Sequence, residues 1–404
     1  MIDKPGGRPI PWLLPDAIEE VLPPAAENLE ALRRSALDAC RHWGYELVVP
    51  PTIEYLEALL SGAAHDLDLQ TFKLTDQLSG RMMGVRADIT PQAARIDAHQ
   101  LRRDGVVRLC YAGTVLRARP EEPAGSRNPL QLGAEVYGHS GVESDVEIIA
   151  LMAEVLGQAG IQNLQVDLGH VGLFRGLVAE GALSQDDESF LWDALQRKAT
   201  ADLAGLLERL DLSASLRARI AALASLNGGV EVLAEAREVL AGSDPAVLAD
   251  IDLLAAVVEA LQRWLPALEL HVDLGELRGY RYHTGVVFAA YRPGESLELA
   301  RGGRYDDIGA VFGRARPATG FSTDLKALLR AAEGKPDERP EAGSAILAPW
   351  GSDAALHDRV KALRAAGEVV VWSLPGDGNK ARAGGCDRQL QCTAEGEWRV
   401  EPLQ

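Results

Sequence analysis

The chain has 404 residues, of which 47% are hydrophobic, so it is long enough for two or three domains with buried cores. Its formal net charge is −18 at pH 7. Because nucleic acids and anionic membranes are themselves polyanions, this charge argues against broad electrostatic binding to either. The four cysteines match no usual zinc motif, and no segment has the length and apolarity of a membrane span. We therefore expect a cytoplasmic protein with reduced thiols that binds no metal, nucleic acid or membrane.

The first part of the chain combines helix and strand patterns. Apolar residues recur at helical spacing over residues 25–43, and the strand "YELVVPP" follows; its Pro50-Pro51 pair indicates a sheet edge or a break. Next come the strands "VVRLCYAGTVLR" and "LQLGAEVYGH", joined by the loop "ARPEEPAGSRNP". A capping box from Ser144 to Glu147 predicts the start of a helix, and the strand "LQVDLGH" follows.

The later part of the chain defines the domain organisation. We predict an α+β fold in which residues 1–175 and 267–330 form one discontinuous core, an antiparallel sheet flanked by helices. A helical insertion with Ala, Leu, Glu and Arg at helical spacing interrupts this core over residues 176–266. A charged linker containing Pro and Gly covers residues 331–343, and residues 344–404 form a small C-terminal α/β domain.

One strand has a polar face that could form the floor of a ligand site, and we call this face the floor. In "LQLGAEVYGH", the period of two places Gln131, Gly133 and Glu135 on one face, where the glycine lets a ligand approach the backbone. On this strand alone, a solvated outer face is the favoured interpretation. Hairpin pairing would bring Arg117 beside the floor, where its guanidinium could bind a carboxylate or phosphate. With the hairpin included, a ligand site and a solvated surface are equally supported.

Two further segments place polar groups near helix or strand starts. "GVRADITPQ" supplies Asp88 and Thr90 before a helix that begins with proline, and both residues are also ordinary helix caps. "ELRGYRYHTGVVF" supplies Arg278, Tyr282 and His283. An aromatic pair beside an arginine suits a flat polar ligand, although Tyr and His also occur in half-buried strands. In "RARPATGFSTDLKALLR", the pattern predicts a strand that passes directly into a helix.

Taken in order, these segments, with "ARGGRYDD", resemble the core of the class II aminoacyl-tRNA synthetases, and specifically histidyl-tRNA synthetase, over roughly residues 10 to 330. In this resemblance, residues 25–51 correspond to motif 1 at the dimer interface, the hairpin to motif 2, and "TGFSTDLKALL" to motif 3. The family's histidine-binding residues correspond to Asp88, Thr90, Arg117, Gln131, Glu135 and Arg278, with Tyr282 and His283 as its aromatic pair.

The nucleotide half of the resemblance departs from the family pattern. Motif 2 reads Arg-x-Glu in the family, but the chain has Arg117-Ala118-Arg119, so a donor replaces the acid that contacts the adenine amino group. Motif 3 closes with Glu-Arg in the family, but the chain has Lys326-Ala327. Because adenylate formation needs fixed cations at the phosphates, this loss should slow it by orders of magnitude.

A histidine pocket without a nucleotide site or an anticodon domain resembles the regulatory subunit of short-form ATP phosphoribosyltransferase. The resemblance implies a chain with no catalytic residues and no cofactor, which dimerises and joins a separate catalytic subunit, generally as a hetero-octamer. It also implies that the chain is required for the first step of histidine biosynthesis and mediates feedback inhibition by free histidine. Two alternatives stay open: a divergent histidyl-tRNA synthetase that forms histidyl adenylate, and a structural activator with a vestigial pocket.

Overall fold

The computed structural model describes residues 12–61, 65–120, 125–280, 282–295, 297–332, 345–376 and 385–403. The chain divides into two compact units, Met1–Gly334 and Lys335–Gln404. Among the described residues, no helix has the length and apolarity needed to cross a membrane. The predicted linker over residues 331–343 lies outside the described residues, apart from the last turn of a helix that ends at Ala332.

The first half of the first unit contributes strands to a large sheet and to a small one, together with five α-helices. In chain order these elements are α1 (Ala25–His42), β1 (Glu46–Leu47), β2 (Ile53–Tyr55), α2 (Leu56–Leu59), α3 (His65–Gln70), β3 (Phe72–Thr75), β4 (Met82–Val85), α4 (Thr90–Arg95), a π-helical segment (Ile96–Leu101), β5 (Val107–Thr114), β6 (Leu130–Tyr137), α5 (Val142–Gln158) and β7 (Gln165–His170).

A helical stretch and a return to strands complete this unit. The elements are α6 (Val171–Glu180), α7 (Gln185–Gln196), α8 (Thr200–Arg209), α9 (Ala214–Ala222), β8 (Asn227–Gly228), α10 (Val232–Val239), α11 (Pro245–Trp264), β9 (Glu269–Asp273), β10 (Val286–Tyr291), β11 (Glu298–Arg304), a 3-10 helix (Ile308–Phe312), β12 (Ala318–Asp324) and α12 (Leu325–Ala332).

A nine-stranded sheet with the order β1-β5-β6-β12-β11-β10-β7-β9-β8 forms the centre of the unit. Only the β1–β5 and β7–β9 pairs are parallel, so the predicted α+β fold with helices flanking an antiparallel sheet is confirmed in a mixed sheet. The short strand β1 lies at one edge and ends at Leu47, before the Pro50-Pro51 pair, in agreement with the predicted edge or break. A separate three-stranded sheet has the order β2-β4-β3.

The alternation in β6 separates the apolar core from the polar floor. Leu132, Ala134 and Val136 are buried in the main hydrophobic core with residues of α1 and α5. Gln131 and Glu135, on the other face, are 5% and 1% exposed. The interpretation of this face as a solvated surface is therefore wrong, because the residues opposite it cover both polar side chains.

Side-chain caps start several of the helices, while others, including α5, begin without one. The Ser184 hydroxyl accepts from the backbone of Asp187 at the start of α7, and Asp244 caps α11 before its proline. The predicted capping box at Ser144 is wrong, because α5 begins two residues earlier. Ser144 lies inside its first turn and donates to the carbonyl of Gly141 at 2.9 Å.

The helices between residues 176 and 266 share the main apolar core with the sheet. Leu191 of α7 and Leu254 of α11 belong to the same hydrophobic cluster as Leu168 of β7. This stretch also contains β8, which the sequence pattern did not predict and which pairs with β9. The division into core and insertion stays a prediction.

The second unit is a small α/β unit with its own apolar cluster. Its elements are β13 (Ala345–Pro349), α13 (Ala354–Ala365), β14 (Val369–Ser373), β15 (Cys386–Cys392) and β16 (Trp398–Pro402). The sheet has the order β14-β13-β15-β16, with β13 parallel to both of its neighbours.

Candidate ligand-binding site

A cavity of about 310 Å³ opens on the polar face of β6, and we call it the ligand cavity. Its walls come from β6, the start of α4, α3, strands β10 to β12, and the loop between β9 and β10. The volume lies at the small end of the range typical of small-molecule sites. Six of the eight predicted site residues line it: Asp88, Thr90, Glu135, Arg278, Tyr282 and His283.

Glu135 lies at the floor of the ligand cavity. The Tyr111 hydroxyl donates to Oε1 of Glu135 at 2.9 Å, and the Tyr305 hydroxyl donates to Oε2. Burial raises the pKa of Glu135 to about 8, although the hydrogen bonds from Tyr305 and Tyr111 act in the opposite direction. The carboxyl group is therefore largely protonated near pH 7, and a cationic partner in the cavity would favour its ionised form.

Two glycines make room for this arrangement. Gly320 of β12 pairs directly with Glu135, and a β-carbon at residue 320 would collide with the Glu135 carboxylate. Gly133 lies beneath the Tyr111 ring, which would collide with a β-carbon in the same way. Both positions therefore require glycine, because a neighbouring side chain occupies the space that a β-carbon would need.

Asp88 is fixed in place by Gln131. The Gln131 amide donates to Oδ1 of Asp88 at 2.7 Å, and its own oxygen accepts from the backbone of Ile89 at 2.9 Å. The backbone N–H of Thr90 also donates to Oδ1 of Asp88, and its hydroxyl lies 2.8 Å from that of Tyr111. Gln131 is absent from the described lining of the cavity, and its hydrogen bond orients Asp88. Its direct contact with a ligand stays a prediction.

Arg278 is a cation that the loop between β9 and β10 brings to the cavity. Its guanidinium pairs with Glu298 of β11, and its Nε lies 3.3 Å from Glu276 Oε2. Both carboxylates are largely buried, with side-chain exposures of 14% for Glu298 and 16% for Glu276. A ligand carboxylate that binds Arg278 would therefore displace one of these two protein carboxylates from it.

Aromatic rings form one wall of the cavity. Tyr282 stacks on Tyr305 with ring centroids 5.0 Å apart, and the His283 ring meets Tyr282 edge-on at 5.3 Å. Burial lowers the pKa of His283 to about 4, so its imidazole is neutral at physiological pH. The Tyr282 hydroxyl is buried and has no hydrogen-bond partner among the described residues. Since buried polar groups are normally paired, this oxygen is a position where a ligand atom would be accommodated.

Arg117 is placed differently from the other predicted residues. The β5–β6 register puts Gly113 opposite Gln131, and β5 ends at Thr114, before Arg117. Arg117 forms an isolated bridge with Thr71 and is not in the described lining of the ligand cavity. Its contact with a ligand stays a prediction.

Sequence reasoning missed two tyrosines and one acid at the site. Tyr305 follows the glycine pair of "ARGGRYDD", which was the available signal, while Tyr111 lies on the same face of β5 as Gly113. Glu276 was hidden in a loop without a regular pattern. Among the described residues, no group of three or more His, Cys, Asp or Glu side chains could hold a metal ion.

The lysine at the end of motif 3 is a structural link. The predicted strand-to-helix passage is confirmed by β12 and α12. Lys326 is 9% exposed, donates from Nζ to the carbonyl of Asn128 at 2.8 Å, and lies 3.8 Å from Glu19 Oε1. It therefore ties α12 to the segment before β6 and to the N-terminal segment, and it is not among the described cavity residues.

Comparisons with known proteins first define the class of protein. The family profile for histidyl-tRNA synthetase matches residues 17–328. A solved structure from Bacillus halodurans C, titled ATP phosphoribosyltransferase regulatory subunit/histidyl-tRNA synthetase, has a TM-score of 0.83 at 27% identity and covers 95% of this chain and 98% of its own. Histidyl-tRNA synthetase from Nostoc sp. PCC 7120 has a TM-score of 0.77 at 18% identity, covers 97% of both chains, and shows the fold alone. The chain thus has a histidyl-tRNA synthetase-like fold of class II.

The curated relatives narrow this class. A profile for the ATP phosphoribosyltransferase subunit HisZ C-terminal domain matches residues 343–401. A protein from Thioalkalivibrio sulfidiphilus is 57% identical to this chain, and the match covers 97% of this chain and 98% of that protein. A protein from Alkalilimnicola ehrlichii is 56% identical, and the match covers 97% of each chain. Both proteins are named ATP phosphoribosyltransferase regulatory subunit. The chain belongs to the family of ATP phosphoribosyltransferase regulatory subunits. Its role is that of a regulatory rather than a catalytic subunit, in histidine biosynthesis.

Proposed function

We propose that this regulatory subunit binds free histidine in the ligand cavity and thereby mediates feedback inhibition of a separate catalytic subunit, which requires it for activity. The observation that carries the proposal is the buried carboxyl of Glu135, held between Tyr111 and Tyr305 on the cavity floor. Together with Asp88, it offers acceptors for a ligand that carries both an ammonium group and an imidazole.

Each end of a histidine molecule has a complementary group in this arrangement. The ammonium or imidazole N–H groups would donate to Asp88 and Glu135, and the α-carboxylate would bind Arg278 in exchange for a protein carboxylate. The stacked Tyr282 and Tyr305 rings suit a flat imidazole, and the buried Tyr282 hydroxyl would gain a hydrogen-bond partner. Thr90 and His283 complete the walls, and Arg117 is proposed as a second cation.

Inhibition follows from linkage. Histidine can reduce the activity of the complex only if it binds the inactive conformation more tightly than the active one. The degree of inhibition is then set by this difference in affinity. A pocket that binds histidine equally well in both conformations would cause no inhibition.

We also propose that the subunit dimerises through motif 1 and that such dimers assemble with the catalytic subunit into a hetero-octamer. The sheet edge at β1 supports this proposal: Leu47 and Val49 are 53% and 83% exposed although they are apolar. An exposed apolar patch beside an unpaired strand edge is typical of an interface.

The proposed domain organisation assigns residues 1–175 and 267–330 to the core, 176–266 to a helical insertion, and 344–404 to a C-terminal domain. The two compact units and the separate family profiles for residues 17–328 and 343–401 support a boundary in the linker.

Calorimetric titration of the purified protein with histidine tests the site. We expect saturable binding that is lost in Glu135→Ala and kept in Glu208→Ala, which removes an exposed acid on α8. No heat of binding in the wild type, or unchanged affinity in Glu135→Ala, would contradict the proposed pocket.

Co-purification with the catalytic subunit tests the regulatory role. We expect ATP phosphoribosyl transfer to depend on the regulatory subunit and to be inhibited by histidine, with the inhibition lost in Glu135→Ala. Activation without any histidine response would identify a structural activator instead. Formation of histidyl adenylate in a pyrophosphate-exchange assay would favour a divergent histidyl-tRNA synthetase.

A further inference from the structure

The loop between β9 and β10 has two faces. We call its described residues 276–280 and 282–284 the ligand loop. Arg278, Tyr282 and His283 line the ligand cavity, whereas Tyr280 lines a second cavity of about 620 Å³. We call this one the rear cavity; its other walls come from α6, α7 and the residues between them. The same short loop therefore separates the proposed histidine site from the helical region.

Helix α7 holds the first half of the loop. The indole Nε1 of Trp192 donates to the carbonyl of Leu277 at 3.1 Å, and the Tyr280 hydroxyl donates to Oε1 of Glu188 at 2.7 Å. Burial and the Glu188 carboxylate both raise the pKa of Tyr280, so its hydroxyl remains a donor throughout the physiological range. Trp192 and Glu188 are four residues apart and therefore lie on one face of the helix.

Helix α6 holds the second half of the loop. Nη2 of Arg175 donates to the carbonyls of Tyr280 and His283, each at 3.1 Å. Its guanidinium also lies 5.1 Å from the centroid of the Tyr280 ring, and the Phe174 ring meets the Tyr280 ring edge-on at 5.3 Å. One arginine thus fixes the backbone on both sides of Tyr282, whose ring forms the aromatic wall of the ligand cavity.

We infer that Arg175, Glu188 and Trp192 are positioning residues for the ligand cavity: they hold the ligand loop in its binding geometry from the rear. Histidine affinity then depends on three side chains outside the ligand cavity. Conversely, a movement of the ligand loop on ligand binding would be transmitted to α6 and α7 through Tyr280. The inference rests on the proposed function, because histidine is taken as the ligand. Its physical basis is that a loop released from its anchors spends less time in the binding-competent geometry, which weakens apparent affinity by the same fraction.

Substitutions at the rear of the loop test this inference by calorimetry on the full-length protein. Since each lost hydrogen bond is worth about 1 kcal/mol, Tyr280→Phe and Glu188→Leu should each weaken histidine binding, by at most about fivefold. Glu188→Gln keeps an acceptor for the Tyr280 hydroxyl and should retain affinity close to that of the wild type. Glu208→Gln on α8 is the matched control for the loss of one negative charge.

A spectroscopic signal separates positioning from general stability. Because Trp192 is bonded to the loop backbone, we expect histidine to change tryptophan fluorescence with the midpoint found by calorimetry, and Trp192→Phe to abolish this change. Unfolding temperatures show whether each variant is folded at the titration temperature.

The outcomes distinguish this inference from the proposed function. If the wild type does not bind histidine, both fail. If the wild type binds histidine but Tyr280→Phe and Glu188→Leu bind it equally well while folded, or the fluorescence change survives in Trp192→Phe, only the positioning role is overturned.

Discussion

The hydroxyl of Tyr111 donates a hydrogen bond to Glu135 at 2.9 Å, and neither residue is more than 1% exposed. Burial removes most of the solvation of the ionised carboxyl, so this hydrogen bond is one of the few contacts that stabilise its charge. Thr90 completes the chain from the other side of Tyr111. This buried chain of hydrogen bonds determines how the site should respond to pH, to ligand binding and to changes in side-chain volume.

Histidine binding should release protons. Burial raises the pKa of Glu135 to about 8, so the carboxyl is mostly protonated at pH 7, and a bound ammonium or imidazole N–H would favour its ionised form. Calorimetry at pH 7 in two buffers with different ionisation enthalpies measures the protons released per site. The release should be smaller in Glu135→Gln, which cannot ionise, and equal release in both proteins would rule out Glu135 as its source.

The stability of the protein without histidine should also respond to Glu135. Because its pKa in the folded protein lies above its ordinary value, the protonated group contributes stability that is complete below about pH 4 and is lost as the pH rises through about 8. Relative to Glu135→Gln, the wild type should therefore become less stable between pH 5 and pH 9. Thermal unfolding of both proteins across this range provides the measurement, and a constant difference in melting temperature would contradict the raised pKa.

Gly320→Ala should disrupt the floor of the ligand cavity. Its new β-carbon would occupy the position of the Glu135 carboxylate, so we expect lost histidine binding and a destabilisation of about 1–3 kcal/mol, as for other overpacked cores. Denaturant unfolding and calorimetry measure the two effects. Gly157→Ala in α5 is the control, because no atom lies within 4 Å of the added carbon and alanine favours a helix. A fully stable, histidine-binding Gly320→Ala would show that Glu135 can move aside.

Lys326→Met should affect stability without affecting the ligand. It removes the hydrogen bond to the carbonyl of Asn128 and the charge near Glu19, while its aliphatic part remains. We expect a loss of about 1–2 kcal/mol in the free energy of unfolding and unchanged histidine affinity. Lys361→Met, on an exposed position of α13, should cost much less. A large change in histidine affinity would mean that Lys326 still serves the site.

Val49→Asp should separate the proposed dimer. Val49 is 83% exposed beside the β1 edge, so the aspartate is solvated in a monomer but would be buried in an interface. Light scattering after size-exclusion chromatography measures the mass, and we expect a dimer for the wild type and a monomer for the variant. Leu78→Asp, at a turn position that is 98% exposed, should remain dimeric. A dimeric Val49→Asp variant would place the interface elsewhere.

Local pattern was sufficient to predict the strand β6 and the orientation of Gln131 and Glu135, because alternation depends only on neighbouring residues. It also predicted the passage from β12 into α12. It could not predict that Tyr305 would bind Glu135, since strand order and register bring together segments that are distant in the chain. The same limit applies to Gln131, whose partner Asp88 comes from outside its strand.

The wrong prediction of a capping box at Ser144 has a tertiary cause. Ser144 has the sequence of a helix cap, but its hydroxyl also accepts from Nη2 of Arg304 on β11 at 2.9 Å, and the helix begins earlier. A tertiary contact that the sequence does not reveal therefore decides where the Ser144 side chain lies. For Arg117, the regular ladder ends at Thr114 and backbone pairing continues irregularly to Arg127, so its place beside the floor stays a prediction.

The contact between Gly320 and Glu135 has an evolutionary consequence. A chain that keeps the glutamate has no room for a larger residue opposite it, whereas a chain that has lost the glutamate is free to replace the glycine. Substitutions at these two positions should therefore be ordered in time, with the acid lost first. Among related proteins, a larger residue at the position of Gly320 would then indicate a protein that has lost the glutamate, and with it the histidine binding that we propose.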